Sequence, residues 1–141
     1  MTIILKEHQF SIEEYLFLES QMEDMDETSP KQAQKSLNHH ITAVAAFDGE
    51  KIVGIGRLIG DAAFYWCLVD IWVLPEYQGK GIGRKIVQWL LQYIKENSLK
   101  NTRVSVFLMA AFGKEGFYEK LGFRTRPHEY EGAGMKFELD M

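Results

Sequence analysis

The clearest period in the chain is helical. From Ile82 to Ile94, the apolar residues Ile82, Ile86, Val87, Leu90, Leu91 and Ile94 recur at three- and four-residue steps, with Arg84, Lys85, Gln88, Gln92, Lys95 and Glu96 opposite. This is the stripe of an amphipathic helix, and Asn97 marks its stop. Ahead of it lies a nearly continuous apolar run, Ala63–Val73, interrupted by Asp70. Such a run predicts a strand buried on both faces. After the helix, Arg103–Met109 is again strand-like, so this strand–helix–strand unit predicts a parallel, right-handed crossover.

On the N-terminal side, Thr2–Leu5 is a first strand. Ser11 and Glu14 form a capping-box pair, with Phe10 placed to staple onto Tyr15, and open a helix running to about Met22–Met25. Its core candidates are Ile12, Tyr15, Leu16, Leu18 and Met22. Glu19, Glu23, Asp24, Asp26 and Glu27 make its far end acidic, either a solvated face or a rim attracting a cationic substrate. Ser29, Pro30 and Gln32 open a short second helix to about Asn38. Ile41–Phe47 and Ile52–Ile59 are strands joined by the hairpin dipeptide Asp48-Gly49, and Gly54, Gly56 and Gly60 suggest a bulge or close packing in the second of them. On the C-terminal side, Lys114–Leu121 is a short helix ending at Gly122. Phe123–Arg126 and Met135–Leu139 are final strands around the loop Pro127–Gly134. The predicted order is β-α-α-β-β-β-α-β-α-β-β, a mixed α/β (α+β) sheet.

Between the apolar run and the main helix stands Val73–Arg84, VLPEYQGKGIGR. Pro75 ends the strand, and Gly79, Gly81 and Gly83 fill the turn. A glycine-rich turn feeding a helix N-terminus can aim several backbone N–H groups at one anion. The G-x-G-x-G spacing does not fit the dinucleotide fingerprint, and position 103, where an acidic residue would stand, is arginine. The P-loop and G-x-S-x-G patterns are absent as well.

Composition narrows the classes. The 141 residues are the size of one domain, taken as 1–141. A net charge of −4 argues against a nucleic-acid partner. Cys67 is the only cysteine, which excludes an internal disulfide and a cysteine metal cluster and fits a reducing, cytoplasmic setting. His8, His39, His40 and His128 have no metal-ligand spacing, so no metal is expected. The N-terminus lacks the pattern of a signal peptide, and no apolar run is long enough to cross a membrane.

Gln78-Gly79-Lys80-Gly81-Ile82-Gly83 matches the Q/R-x-x-G-x-G/A motif of the GNAT (GCN5-related N-acetyltransferase) superfamily. Downstream, Gly116–Phe123, GFYEKLGF, resembles the F-Y-x-x-x-G-F segment of the same superfamily. The element order is similar over essentially the whole chain. One position departs: the Asn that many family members carry six residues before the Phe of the F-Y pair is Ala111 here, so no cofactor contact is carried over from that loop.

The resemblance implies a coenzyme A thioester, usually acetyl-CoA, with its pyrophosphate wrapped by the amides of Gly79 through Arg84, and with charge added by Lys80 and Arg84. It implies that the strand splays from its neighbour at Ile71, Trp72 and Val73, where the pantetheine arm pairs with the freed backbone. The Val73 N–H would then polarise the thioester carbonyl. Gln78 and Ile82 belong to the same cofactor segment. Tyr118 matches the family's general acid, the alternative being packing or a hydrogen bond to the cofactor. Asp70 is the best-placed candidate base; it could equally bind a substrate ammonium or bond a neighbouring strand. His128, Glu129, Tyr130, Tyr65 and Trp66 are weaker substrate-side candidates, and Cys67 reads as a small apolar residue. The expected activity is transfer of acetyl to the amine of a small molecule by direct attack in a ternary complex. Acetylation of a protein lysine or N-terminus, and acyl-CoA sensing without turnover, are the alternatives. The family also makes a homodimer an expectation.

Overall fold

The computed structural model describes residues 1–22 and 28–141. Residues 1–107 form one compact unit and residues 108–141 another, and each is described by itself.

The first unit is built on a five-stranded sheet of order β1-β2-β3-β4-β5, with β1 Ile3–Glu7, β2 Thr42–Asp48, β3 Lys51–Gly60, β4 Tyr65–Val73 and β5 Ser105–Phe107. The first four strands pair antiparallel, and β5 joins β4 in parallel. The parallel pairing is the one expected of the crossover through α3, Ile82–Asn97. Helix α3 buries the predicted stripe Ile82, Ile86, Val87, Leu90 and Ile94. It lies so close to β3 that a Cβ on Gly56 would come within 2.5 Å of Ile86 and 2.9 Å of Leu90, and one on Gly54 within 3.1 Å of Ile86. The two glycines therefore mark close packing, one of the readings their positions suggested.

Helices α1, Ile12–Ser20, and α2, Pro30–Leu37, cover the other face. Side chains alternate along a strand, so Arg57 and Trp72 point away from α3 where Gly56 and Ile71 face it. Tyr15 of α1 meets the Trp72 ring at 5.2 Å. The Ser11–Glu14 capping box forms in full, and Ser29 caps α2. Glu19 is buried, contrary to the reading of a solvated acidic face; it stands one helical turn past buried Tyr15 and shares its stripe. Glu23, Asp24, Asp26 and Glu27, with any continuation of the helix into that segment, lie outside the described residues.

Strand β4 departs from its expected reading in two ways. It starts at Tyr65 because Asp61 Oδ1 accepts the amides of Ala63, Phe64 and Tyr65, each at 2.9 Å, which closes a turn over the residues expected to open the strand. Over Tyr65–Val69 it is buried on the α3 face only, through Trp66 and Leu68, while Tyr65 is exposed and Cys67 and Val69 are half-buried; beyond the register shift in this strand the buried Trp72 lies on the opposite face, against Tyr15. β5 pairs with Tyr65–Cys67 alone and ends at Phe107, so the strand from Leu68 to Val73 runs on beyond that ladder.

In the second unit, α4 spans Glu115–Glu119 and closes through Gly122, with φ of 101° and the Phe123 N–H donating to the Tyr118 carbonyl at 3.1 Å. The strands expected at Phe123–Arg126 and Met135–Leu139 are not formed. The first segment runs into a turn held by the His128–Glu131 bridge, and its arginines are spent on that turn, Arg124 on Glu131 and Arg126 on the Gly132 carbonyl. The second keeps its alternation but not a ladder: Met135, Phe137 and Leu139 are all exposed. Alternation gives a segment two faces; only a partner's amides make it a strand.

Among the described residues, no helix is long and apolar enough to cross a membrane.

Candidate active site

The glycine-rich turn takes its shape from the segment before it. After Val73 a short 3-10 turn, Pro75–Tyr77, carries the chain off the sheet. It is tied to the β2–β3 hairpin by the Tyr77 hydroxyl, which donates to Asp48 Oδ2 at 2.6 Å, and by Lys51, which sits 3.5 Å from Glu76. Gly79 and Gly81 then take left-handed φ values of 77° and 83°. A Cβ on either would meet nothing within 4 Å, so backbone conformation selects glycine here and leaves an open, exposed backbone.

Gly81 is the N-cap of α3 and supplies no side-chain acceptor, whereas α1 and α2 are both capped by serine. The longest helix among the described residues thus presents its first amides uncapped, with no acidic residue in its first turn and with Lys80 and Arg84 beside it. Orphan N–H groups at the positive end of a 16-residue helix are suited to an anion.

The strand end leading into this turn has its own polarity. The Leu74 N–H donates to the Val53 carbonyl at 2.9 Å. Alternate amides of an extended strand point to opposite edges, so the Val73 N–H turns away from β3. The Val73 carbonyl lies on that same outer edge and accepts from Gln78 Nε2 at 3.0 Å. The sequence motif places Gln78 in the cofactor segment; its side chain also ties the turn back to the strand.

Asp70 sits at a bulge. Ile55 pairs with Trp72 and Arg57 with Val69, so Gly56 alone faces two residues, Asp70 and Ile71. Asp70 takes a left-handed φ of 53°. Its Oδ2 accepts from the Tyr15 hydroxyl at 2.8 Å and from Arg57 Nη1 at 2.7 Å. Burial, and then the Asp70 carboxylate, push the Tyr15 phenol well above its ordinary range.

Arg57 is the residue that sequence reasoning missed. It is 3% exposed and fully engaged. Nη2 donates to the Ser36 carbonyl and hydroxyl at 3.0 and 2.9 Å, and Nε donates to His40 Nδ1 at 3.2 Å. Arginine can only donate, so the neutral His40 ring carries its proton on Nε2, which gives to His8 Nδ1 at 3.3 Å. His8 Nε2 then faces Thr42 Oγ1 at 3.0 Å, and that hydroxyl donates to Glu7 at 2.7 Å. Burial and the neighbouring Arg57 charge lower His40 to about 4. A basic residue inside an apolar strand was the available signal. A cleft of about 330 Å³ bordered by His8, Phe10, Ser11, Leu37 and His40 lies at this end of the network, not at the glycine turn.

Tyr118 lies on α4 of the second unit, its ring edge-on to Phe117 at 4.9 Å and to Phe123 at 5.9 Å. Burial raises its hydroxyl above the ordinary tyrosine range. His128, Glu129 and Tyr130 are exposed in the same unit. Tyr65 is exposed on β4, while Trp66 is buried under α3 against Tyr93. Trp66 is therefore not on the accessible surface where a substrate contact was expected, because strand alternation turns it inward. Cys67 is half-buried, and burial raises its thiol. Among the described residues, no group of three or more His, Cys, Asp or Glu side chains is arranged to hold a metal ion.

A family model described as an acetyltransferase (GNAT) domain matches residues 38–125, more than half of the chain. A curated relative, GCN5-related N-acetyltransferase 2, chloroplastic, of Arabidopsis thaliana, is 33% identical over 90 residues, which is 60% of this chain and 33% of that protein. This chain thus spans about a third of that relative. Among solved structures, a probable acetyltransferase from meticillin-resistant Staphylococcus aureus superposes with a TM-score of 0.84 at 30% identity, covering 98% of this chain and 100% of that one. A GNAT family protein from Streptococcus pneumoniae superposes with a TM-score of 0.81 at 28% identity, covering 99% and 100%.

Proposed function

This chain belongs to the GNAT acetyltransferase superfamily, and on that premise we propose that it transfers an acetyl group from acetyl-CoA to the amine of a small-molecule acceptor. The observation that carries the reading is the uncapped N-terminus of α3 behind the open backbone of Gly79 and Gly81. Gly79 through Arg84 would hold the pyrophosphate, with Lys80 and Arg84 adding charge. Ile71, Trp72 and Val73 would flank the pantetheine arm where β4 outruns β5, which is the strand splay of this reading. The reading takes residues 1–141 as one domain, on the ground that the chain has the length of a single domain.

In the reaction, the acceptor nitrogen attacks the thioester carbonyl carbon, the N–C bond forms and the C–S bond breaks. The Val73 N–H stabilises the developing oxyanion. Tyr118 hands its proton to the leaving thiolate, and the raised affinity of its hydroxyl keeps that proton in place at neutral pH. The attacking nitrogen sheds its proton to solvent water. Asp70 is the sequence candidate for accepting that proton, but Oδ2 already receives two donors, one of them a buried guanidinium. That weighs towards the structural reading of Asp70, and it also weakens the lean towards a cationic acceptor. The half-exposed β4 face of Tyr65, Cys67 and Val69 favours an acceptor with an apolar or aromatic body.

The reading includes a cytoplasmic setting, on the ground of the single free Cys67. It also includes a homodimer, supported by the exposed apolar row Met135, Phe137 and Leu139. Thiol release from acetyl-CoA across a panel of amines and peptides tests the function. Turnover on small amines supports it, turnover on peptides alone moves the acceptor to protein, and tight acetyl-CoA binding with no turnover on either marks a sensor.

A further inference from the structure

We propose that Arg57 is a positioning residue which, through Asp70, fixes the β4 bulge and thereby aims the strand end Ile71–Val73. The inference rests on reading that strand end as part of the acetyl-CoA site.

Asp70 is the one non-glycine residue inside β4 with positive φ. A left-handed residue in a strand is unfavourable unless its surroundings hold it there, and aspartate tolerates the region better than most. The bulge matters because it inserts a residue, bends the strand and redirects the residues beyond it. Those residues are Ile71, Trp72 and Val73, with the Val73 amide turned to the outer edge. If Asp70 relaxed to extended backbone, their side-chain alternation and amide directions would shift together.

The holder is Arg57. It stands opposite Val69 on the neighbouring strand, just before the bulge. Its guanidinium is pinned from separate elements: Ser36 at the end of α2, His40 ahead of β2 and the Tyr15 ring of α1 at 5.7 Å. Tyr15 also bonds the same carboxylate oxygen that Arg57 does. The Asp70 carboxylate is therefore referenced to both helices on that face and cannot rotate without leaving a buried charge unpaired. A lone surface ion pair would have no such effect; this pair has a 3% exposed arginine and a bulge hanging from it.

The test is acetyl-CoA affinity by calorimetry, together with kcat, KM and pH profiles on the best amine of the panel, in wild type, Asp70→Asn, Asp70→Ala and Arg57→Lys. All are measured well below their melting temperatures, so that a loss of global stability does not change the binding constant. Asn keeps the shape, an acceptor oxygen and the tolerance for left-handed φ; Ala keeps none of them. The expected result is that Asp70→Ala weakens acetyl-CoA binding by about tenfold or more, on the scale of one lost oriented contact. Asp70→Asn rescues most of that loss and keeps the shape of the pH profile. Arg57→Lys, which keeps the charge but loses the fork, raises the KM for acetyl-CoA more than it lowers kcat. If Asp70→Ala does not fold, the Arg57→Lys split decides. Wild-type affinity in both Asp70→Ala and Arg57→Lys overturns the inference. So does a loss of about a hundredfold or more in kcat for Asp70→Asn together with its acidic limb, which would make Asp70 the base. Failure of the wild type itself to bind acetyl-CoA removes the reading of the site, and the inference falls with it.

Discussion

Gly56 of β3 lies against Ile86 of α3 so closely that a methyl group on Gly56 would sit 2.5 Å from Ile86 Cγ2, and also within 3.0 Å of Leu90 and Ile71. Ile86 and Leu90 are fully buried and Ile71 is half-buried. Three apolar side chains would have to yield at once. Gly56→Ala should therefore cost about 1–3 kcal/mol, the range for overpacking a filled core. Gly54→Ala should cost no less, since its nearest neighbour is the Trp72 carbonyl at 2.8 Å, which cannot move without disturbing the β3–β4 ladder. Urea unfolding checks both: the midpoint should fall with the slope unchanged.

Gly79 and Gly81 are constrained in the opposite way, by backbone and not by space. Side chains there meet no neighbour, so the penalty is the left-handed conformation alone, roughly 1–2 kcal/mol for Gly81→Ala. Asparagine tolerates this region, so Gly79→Asn should be milder than Gly79→Val. Acetyl-CoA affinity should fall along with stability, because relaxing either φ re-aims amides in the proposed cradle. A variant with lowered stability but unchanged acetyl-CoA affinity would show that these amides do not touch the ligand.

The same contrast between space and backbone explains how far the sequence was legible. The α3 stripe, the two serine caps and the Asp48-Gly49 hairpin are local signals, and each places its element within a few residues. The glycine turn was legible because glycine at positive φ leaves a mark in the sequence. The network of Tyr15, Arg57 and Asp70 was not, because it joins residues 55 and 13 positions apart. Asp70 showed as an interruption in an apolar run, but nothing local told whether its carboxylate was free or spent. The two absent C-terminal strands illustrate the converse limit. Met135–Leu139 alternates well, yet alternation does not supply the paired edge that a strand requires.

His40 makes stability depend on acid. Folding lowers its affinity for protons from the usual 6.5 to about 4, so the unfolded chain binds more protons between those values. The contribution is fully present above pH 6.5 and is lost as pH falls towards 4. The geometry gives the cause: a proton on Nδ1 would face the Arg57 Nε–H that now donates to it. Asn at this position keeps an acceptor and does not titrate. The unfolding free energy of His40→Asn should thus fall less steeply than that of wild type between about pH 6.5 and 4, measured in urea at several pH values. Parallel slopes would remove His40 as the source.

Tyr118 carries the proton-transfer step of the proposed reaction, and its removal separates chemistry from binding. Phenylalanine keeps the ring that packs edge-on between Phe117 and Phe123, so α4 should hold its shape. With the hydroxyl gone, kcat should fall by about 10²–10⁴, the usual contribution of a general acid, while the KM for acetyl-CoA changes little. The pH dependence gives the sign. An acid acts in its protonated form, and burial raises the Tyr118 hydroxyl above its ordinary value of 10.0. The alkaline decline of kcat in wild type should accordingly lie above that value and vanish from the residual activity of Tyr118→Phe. Equal rates for the two proteins would show that water, or another group, protonates the leaving thiolate.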